Sequence, residues 1–252
     1  MIILSLSNNK IKSLAAYRQQ KNCEADGVFV VEGIKMCNEA IREGWKIRTV
    51  CVTEDALGSI GEKLKATEIF VATQSQMERL SSMRSPQGVW MVVERKAESR
   101  ERRAENGLVL ALDGIQDPGN MGTILRTCDW FGVREVLCSE DTVSCYNPKV
   151  VQATMGAIFR TRVTYCNLAE RLTSLAEQGY TIFGAMLEGE DAFAAKKECP
   201  CVLVIGNEGH GISLEVAAVV DRRLTIPNIG GTCESLNAAV ATAILMGSFF
   251  GG

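Results

Sequence analysis

The sequence predicts an α/β protein of two domains, on three observations. Short apolar runs alternate along the chain with helix-like stretches of about 10–15 residues, as in chains built from βα units. One charged segment without periodic apolar residues, ERKAESRERRAEN at 94–106, interrupts this alternation. The 252 residues, 46% hydrophobic and 23% charged, are enough for one large or two modest cores. We therefore predict a domain over residues 1–94, a charged linker over 95–106 and a second domain over 107–252.

The first domain alternates strands with helices. Three stretches with helical spacing predict helices over residues 10–21, 35–44 and 75–82. Strands are predicted by four apolar runs, VFVVEG (28–33), TVCVT (49–53), IFVAT (69–73) and VWMVVE (89–94).

In the second domain, helical stretches separate most of the predicted strands, which indicates a largely parallel sheet. The strands are predicted by five apolar runs, LVLALDG (108–114), EVLCS (135–139), YTIFGAM (180–186), CVLVIGN (201–207) and RLTIPN (223–228).

The sequence also excludes several classes of protein. The start MIILSLSNNKIKS lacks the basic residues and the long apolar stretch of a signal peptide. Gly, Asn, Arg or Glu interrupts every apolar run before the roughly 18–20 residues of a membrane span. We therefore expect a cytoplasmic protein that is not embedded in a membrane.

Ten cysteines accompany a single histidine, and none of the cysteines forms a CxxC pair. A structural zinc site needs closely spaced Cys or His pairs, so the pattern favours reduced cytosolic thiols and no bound metal. Cys199-Pro200-Cys201 is a weak signal for a disulfide or a metal site.

The net charge of −3 is unevenly distributed. Residues 1–105 contain 17 Lys and Arg against 14 Asp and Glu, and residues 106–252 contain 10 against 16. This asymmetry permits the first half to meet phosphate groups, although an ordinary solvated surface explains it equally well.

Three blocks rich in Gly and Asn follow apolar runs in the second domain: DPGNMGTILRTCDWFG (117–132), LVIGNEGHGIS (203–213) and IPNIGGTCESLNAAVATAIL (226–245). Taken singly, each has a plain structural interpretation. Asn120 can begin a helix, and Glu234 and Ser235 can cap the apolar helix after them. A lone arginine such as Arg126 is usually solvated or ion-paired. The second block is not a dinucleotide-binding fingerprint, which disfavours a dehydrogenase.

Together, the blocks resemble the three signature motifs of the SpoU (TrmH) family of knotted RNA ribose 2′-O-methyltransferases. The pattern N-x-G-x-x-x-R-x-x-x-x-F-G is met by Asn120, Gly122, Arg126, Phe131 and Gly132. The resemblance implies that Arg126 is the main catalytic residue. It also implies that four other residues surround the reacting centre, namely Asn120, Glu208, Ser235 and Asn237.

The same resemblance implies S-adenosylmethionine as cofactor, without a metal, in a homodimer formed through the second domain. The third block would complete a deep trefoil knot. Residues implied to hold the cofactor are Leu187, Gly206, Asn207, Gly211, Ile226 and Leu236. Two departures from the family pattern are Asn228, where a methionine is common, and Ala238-Ala239 in place of Val-Ser. His210 falls at a variable position.

The chemistry expected of Arg126 follows from its guanidinium group. With a pKa above about 12, it is a poor general base at neutral pH but a good bidentate clamp for phosphate. We therefore expect Arg126 to hold the phosphate beside the target ribose and to stabilise the developing alkoxide. Direct proton abstraction by Arg126 stays open as an alternative.

The first domain has a resemblance of its own. Residues 10–41 are similar to the substrate-binding domain attached to many SpoU enzymes, whose fold is similar to ribosomal protein L30e, and SPQGVWMVV (85–93) matches its end. Four basic residues are candidate phosphate contacts, or equally ordinary surface residues: Lys12, Arg18, Lys21 and Lys35.

We thus predict an S-adenosylmethionine-dependent methyltransferase that acts on a ribose 2′-hydroxyl of structured RNA, ribosomal RNA in preference to transfer RNA. The alternatives are a transfer RNA 2′-O-methyltransferase, a non-catalytic RNA-binding or ribosome-assembly factor on the same scaffold, and a knotted enzyme that methylates a base nitrogen.

Overall fold

The computed structural model describes residues 3–60, 64–96 and 107–250. These residues form two compact units, and the first combines the residues up to 96 with residues 146–159. The second unit contains residues 107–145 and 160–250. Most of the predicted linker, residues 97–106, lies outside the described residues. The predicted domain limits stay a prediction. In the structure, residues 146–159 pack with the first unit, although they follow the predicted linker in the sequence.

A five-stranded sheet in the order β1-β4-β3-β5-β2 forms the centre of the first unit. Strands β1, β4 and β3 are parallel, whereas β5 is antiparallel to both β3 and β2. All four predicted strands are present, and β1 was not predicted because its three residues are too few to show a period. The strands are β1 (Ile3–Ser5), β2 (Val28–Glu32), β3 (Ile47–Val52), β4 (Ala66–Val71) and β5 (Val89–Glu94).

The second unit contains a six-stranded sheet in the order β11-β9-β10-β6-β7-β8, in which every pair of neighbours is parallel. The predicted parallel α/β fold is confirmed, whereas the knot stays a prediction. All five predicted strands are found, and β8 was missed. The strands are β6 (Leu108–Asp113), β7 (Glu135–Cys138), β8 (Arg162–Tyr165), β9 (Thr181–Asp191), β10 (Cys201–Gly206) and β11 (Arg222–Thr225).

Helices connect most of these strands, and among the described helices none is long and apolar enough to cross a membrane. In chain order they are α1 (Asn8–Ala15), α2 (Gln20–Ala25), α3 (Ile34–Arg42), α4 (Glu54–Leu57), α5 (Gln74–Leu80), α6 (Pro118–Trp130), α7 (Pro148–Ala153), α8 (Leu168–Glu177), α9 (Leu214–Ala217) and α10 (Ala238–Phe250).

The continuous helix predicted over residues 10–21 is wrong, because the chain breaks there into α1, a 3-10 turn and α2. Gln19 is extended, with φ −93° and ψ 119°, and the Asn22 amide donates to the Ala16 carbonyl at 2.7 Å. The apolar spacing continues across the break, so periodicity alone could not locate it.

An aromatic cluster joins residues 146–159 to the rest of the first unit. Phe29 contacts the rings of Trp45, Tyr146 and Phe159, with the Phe29–Tyr146 centroids 4.7 Å apart. The indole N–H of Trp45 donates to the Phe159 carbonyl at 3.0 Å in a buried setting. Since a buried carbonyl needs a partner, this bond helps to hold the segment in place.

We expect Trp45→Phe to lower the free energy of unfolding by about 1–3 kcal/mol, because it leaves the buried Phe159 carbonyl without its donor. Thermal unfolding followed by circular dichroism should show a Tm several degrees lower. Tyr17→Phe is the matched control, since it removes an exposed hydrogen bond to Asp26 in the same unit. Equal Tm values for the two variants would contradict the structural role of the indole N–H.

Asp129 near the end of α6 forms an ion cluster with Arg134 and Arg160. Arg160 donates to both carboxylate oxygens, from Nε at 3.0 Å and from Nη2 at 2.8 Å. Although burial opposes ionisation, the hydrogen bonds from Arg160 and Arg134 lower the pKa of Asp129 below its ordinary value.

The lowered pKa predicts a pH dependence of stability. A carboxylate with a depressed pKa stabilises the folded state above its unfolded pKa of about 3.9, and this contribution is lost as pH falls through the folded value. We expect Asp129→Asn to destabilise the protein at pH 7 and to differ progressively less from the wild type as the pH falls below about 4. Thermal unfolding from pH 7 to pH 3 measures this difference, and the exposed Glu177→Gln provides the control. A constant difference at all pH values would contradict the assignment.

Candidate active site

One residue from each of the three Gly- and Asn-rich blocks meets the others at the carboxyl edge of the parallel sheet. Asn120 on α6 donates its amide N–H to a carboxylate oxygen of Glu208, in the turn after β10. Asn237, just before α10, donates its amide N–H to the Asn120 carbonyl at 2.8 Å. The resulting line Glu208–Asn120–Asn237 brings together three of the five predicted catalytic residues. Loops at the carboxyl ends of parallel strands are the usual place for ligands in such sheets.

Asn120 is available for this line because another residue begins the helix. The N-cap of α6 is Asp117, whose carboxylate accepts the Asn120 backbone N–H at 2.7 Å, and Pro118 occupies the first helical position. Asn120 is therefore not the N-cap, although the helix begins near it, at Pro118. Its side chain points instead to the residues of the other two blocks.

The third block also begins its helix later than predicted. Helix α10 starts at Ala238, and the Oδ1 atom of Asn237 accepts the backbone N–H groups of Ala239 and Val240 at 3.0 and 3.3 Å. Asn237 thus caps α10 and supports Asn120 at the same time. Ser235 lies before the helix in an exposed, non-helical segment.

Asn207 organises the turn that carries Glu208. Its amide donates to the Gly114 carbonyl at 2.7 Å, and its Oδ1 atom accepts the N–H groups of Gly209 and His210 at 2.8 and 3.1 Å. Its backbone pairs with Gly211 through two hydrogen bonds of 2.9 Å. Asn207 therefore fixes the second block against the end of β6, and His210 takes part in this turn through its backbone N–H.

Sequence reasoning missed Asp113, the buried last residue of β6. Its carboxylate accepts the backbone N–H of Ser213 at 2.7 Å, which ties the far end of the Asn207 turn to β6. An acidic residue that ends an apolar strand was the signal that could have identified it.

At Gly206, the last residue of β10, the strand packs very closely against the backbone of Gly211 and Ile212. A Cβ atom built there would lie 2.3 Å from the Gly211 carbonyl carbon and 2.3 Å from the Ile212 nitrogen. No side chain fits that space, so glycine is required for the close approach of the turn to the strand. A side chain at position 206 would therefore displace the turn that carries Glu208.

Three apolar side chains of β9 and of the third block are largely exposed. Leu187 in β9 is 74% exposed, Ile229 after β11 is 97% exposed, and Leu236 before α10 is 50% exposed. Strand β9 lies between β10 and β11 in the sheet, so Leu187 belongs to the strand beside β10 and Ile229 follows the strand beyond it. Uncovered apolar side chains beside backbone polar groups fit an adenosine, which has an apolar ring face and a hydrogen-bonding edge.

Asn228, the departure from the family pattern, closes the glycine loop of the third block. Its Oδ1 atom accepts the N–H groups of Gly230 and Gly231 at 3.1 and 2.7 Å, and its Nδ2 atom donates to the Gly231 carbonyl at 3.0 Å. The loop that presents Ile229 is thus ordered by its own first residue. The substitution leaves the line Glu208–Asn120–Asn237 intact.

Arg126 lies on the exposed face of α6, about 9 Å along the helix axis from Asn120. Its side chain makes no hydrogen bond or ion pair with another described residue. The structure therefore does not join Arg126 or Ser235 to the line Glu208–Asn120–Asn237. A guanidinium without an internal partner is available to an anionic ligand.

The predicted RNA contacts divide into two groups. Lys12 on α1, Lys21 on α2 and Lys35 on α3 are exposed. Arg18 instead donates to backbone carbonyls at the end of α5, those of Leu80 at 3.3 Å, Glu78 at 3.0 Å and Ser81. The structure thus assigns Arg18 to capping α5, because cations favour the carbonyl end of a helix.

No three His, Cys, Asp or Glu side chains lie grouped for metal binding within residues 3–60, 64–96 and 107–250. The ten cysteines are free thiols.

Comparison with known proteins agrees with this geometry. Residues 107–247 match the SpoU rRNA Methylase family, and residues 8–90 match the MRM3-like substrate binding domain. The chain is 28% identical over 249 residues to the 23S rRNA (guanosine(2553)-2'-O)-methyltransferase RlmP of Bacillus subtilis, a match that covers 97% of each chain.

Two solved structures resemble the whole chain. One, a protein from Porphyromonas gingivalis assigned to the TrmH family of RNA methyltransferases, superposes with a TM-score of 0.90 at 39% identity over 98% of both chains. The other is the AdoMet-bound rRNA methyltransferase of Sinorhizobium meliloti, with a TM-score of 0.87 at 27% identity over 98% of this chain and 96% of that one. These matches confirm the predicted reaction class and cofactor. The chain belongs to the SpoU rRNA methylase family of S-adenosylmethionine-dependent RNA ribose 2′-O-methyltransferases.

Proposed function

We propose that this protein methylates a ribose 2′-hydroxyl of ribosomal RNA at the carboxyl edge of its parallel sheet, with Arg126, Asn120, Glu208, Ser235 and Asn237 at the reacting centre. The observation that carries the proposal is the line Glu208–Asn120–Asn237, which joins the three blocks beside the Gly206 turn. S-adenosylmethionine, when bound, supplies the electrophilic methyl group. Catalysis then depends on holding the 2′-oxygen in line with that group.

Each residue has a distinct role in this proposal. Arg126 clamps the phosphate next to the target ribose and stabilises the negative charge that develops on the 2′-oxygen. The Asn120 amide orients the Glu208 carboxylate, whose second oxygen accepts the hydrogen bond of the ribose hydroxyl. Asn237 fixes the Asn120 side chain, and the exposed Ser235 hydroxyl contacts the ribose.

The cofactor site lies where β9, β10 and β11 end. The backbone near Gly206, Asn207, Gly211 and Ile226 forms hydrogen bonds with the cofactor, and Leu187 and Leu236 cover its apolar surface. The requirement for glycine at position 206 and the exposed leucines support this assignment. A trefoil knot formed by the third block belongs to the same proposal.

Ribosomal RNA is the proposed substrate on two grounds. RlmP, which this chain matches over nearly its full length, acts on 23S rRNA according to its name. The first unit matches a substrate-binding domain and exposes Lys12, Lys21 and Lys35, which suit contacts with RNA phosphates. We place the enzyme in the cytoplasm, where such RNA is found.

The test is transfer of labelled methyl from S-adenosylmethionine to ribosomal and transfer RNA purified from a strain that lacks this protein. Alkaline hydrolysis then locates the label, since a 2′-O-methyl group blocks cleavage at its linkage. We expect one resistant linkage in ribosomal RNA. Label in transfer RNA would favour a transfer RNA 2′-O-methyltransferase. Label on a nucleotide whose linkage stays alkali-sensitive would favour methylation of a base. Failure to bind the cofactor would favour a non-catalytic assembly factor.

We further propose that the protein is a homodimer through α6 and α10. Helix α10, AAVATAILMGSFF, is apolar on all sides, and its Phe250 stacks on Phe131 with centroids 5.5 Å apart. On the same two helices, Trp130 at the end of α6 is 85% exposed and Val240 near the start of α10 is 48% exposed. Apolar surface of this kind is typical of an interface.

Light scattering after gel filtration measures the molar mass in solution. We expect the mass of a dimer for the wild type and of a monomer for Val240→Glu. A wild-type monomer would refute the interface.

A further inference from the structure

Cys199 and Cys201 form a pair of thiols that the methyl-transfer site does not use. Their sulfur atoms are 3.6 Å apart. They lie at the amino end of β10, and that strand is about 20 Å long, so the pair is remote from the turn that carries Glu208.

The backbone around the pair is fixed on both sides. The Cys201 N–H donates to the Gly107 carbonyl at 2.8 Å, and the Pro200 carbonyl accepts the Thr181 N–H at 3.1 Å. The Cys199 side chain packs directly over Gly107, where an added Cβ would lie 2.7 Å from the Cys199 Cβ. The two sulfurs are therefore held close together by the sheet itself.

The two thiols differ in accessibility. Cys199 is exposed, whereas Cys201 is buried. Burial raises the pKa of the Cys201 thiol, and the neighbouring Cys199 raises it further. An external reagent can thus reach Cys199 first, while the neighbouring Cys201 is a buried, protonated thiol.

We propose that Cys199 and Cys201 are a dithiol redox site that forms an intramolecular disulfide by exchange with a low-molecular-weight disulfide. A disulfide bond measures about 2.05 Å, so closure requires the sulfurs to approach by about 1.6 Å, a movement within reach of side-chain rotation.

Exchange proceeds in two balanced steps. The Cys199 thiolate attacks the external disulfide, forms a mixed disulfide and releases one thiolate, which takes up a proton. Cys201 then loses its proton to solvent and attacks the Cys199 sulfur, so that the Cys199–Cys201 bond forms and the second external thiolate leaves. The two protein thiols are oxidised, and the external disulfide is reduced to two thiols.

The test uses the folded full-length protein in glutathione buffers of increasing oxidised fraction, followed by alkylation with iodoacetamide. Trypsin releases residues 198–222, in which Cys199 and Cys201 are the only cysteines. In wild-type protein we expect this peptide to be unalkylated and lighter by two hydrogens than its dithiol form, and dithiothreitol should reverse the change. A wild-type peptide that stays reduced, or that keeps a glutathione adduct, would overturn the proposal.

Two variants separate the roles of the thiols. Cys201→Ser should retain one glutathione on Cys199, because the second step is blocked, and Cys199→Ser should stay unmodified. Phenylarsine oxide provides a measurement in wild-type protein that does not depend on the folding of either variant. It bridges two adjacent thiols with loss of water, so it should protect both cysteines from alkylation. Alkylation of either cysteine in its presence would count against a paired site.

Discussion

Arg126→Ala is expected to lower kcat for methyl transfer by about 10²–10³-fold or more, because it removes the group proposed to stabilise the developing alkoxide. S-adenosylmethionine binding should survive, since the proposed cofactor contacts come from the ends of β9, β10 and β11 and not from Arg126, whose side chain is exposed on α6. The side chain has no internal partner among the described residues, so its removal should leave the Tm unchanged. Single-turnover kinetics, calorimetric binding of the cofactor and thermal unfolding measure the three quantities.

Arg126→Lys is the matched variant, and it separates the two possible roles of the arginine. A phosphate clamp depends on the planar, bidentate guanidinium, so lysine should restore only part of the rate, equally at all pH values. A general base would behave differently. Lysine has an ordinary pKa of about 10.4, so the activity of Arg126→Lys would then rise as pH increases. Turnover of Arg126→Ala close to that of the wild type would remove Arg126 from the mechanism altogether.

Gly206→Ala has the second large expected effect. Its new Cβ would lie 2.3 Å from backbone atoms of Gly211 and Ile212, and the paired hydrogen bonds between Asn207 and Gly211 prevent that backbone from moving freely. Relief of the clash must displace the turn that carries Glu208. Overpacking of this kind costs about 1–3 kcal/mol, and we expect S-adenosylmethionine affinity to fall by at least about tenfold as the turn shifts.

Gly209→Ala is the matched control in the same turn. Its Cβ would meet only the Asn207 Oδ1 atom, at an ordinary contact distance of 3.4 Å. Cofactor affinity should therefore stay near that of the wild type. Circular dichroism and thermal unfolding of both variants distinguish a displaced turn from an unfolded chain. Equal cofactor affinities for the two folded variants would show that the cofactor does not contact the Gly206 turn.

The strands and the parallel sheet of the second unit were predictable because a fully buried strand must be apolar along its length. LVLAL and CVLVI show this directly, and both are buried in the structure. The ends of helices were harder to predict than the strands, because several nearby residues can cap the same helix equally well. Asp117 and Asn120 are both good N-caps, and Pro118 at the first helical position was the signal that favoured Asp117.

Other side-chain contacts could not be predicted, because they join residues that lie far apart in the sequence. Tyr146 and Phe159 are ordinary aromatic residues in the sequence, yet they pack on Phe29 and Trp45 of the first unit. Arg18 was predicted as a phosphate contact or an ordinary surface residue, and only the structure shows its hydrogen bonds to the carbonyls at the end of α5. In both cases the partner lies far along the chain, and only folding brings it near.

The sequence by itself determined the α/β class, the family, the cofactor and the reaction class, because specific residues at fixed spacings carry that information. It also named Asn120, Glu208 and Asn237 as residues of one site. Only the tertiary structure decided how they are connected, through hydrogen bonds between residues 88 and 117 positions apart. The physical reason is that a side-chain hydrogen bond requires atoms within about 3 Å, and the parallel sheet sets that distance by ending its strands at a common edge.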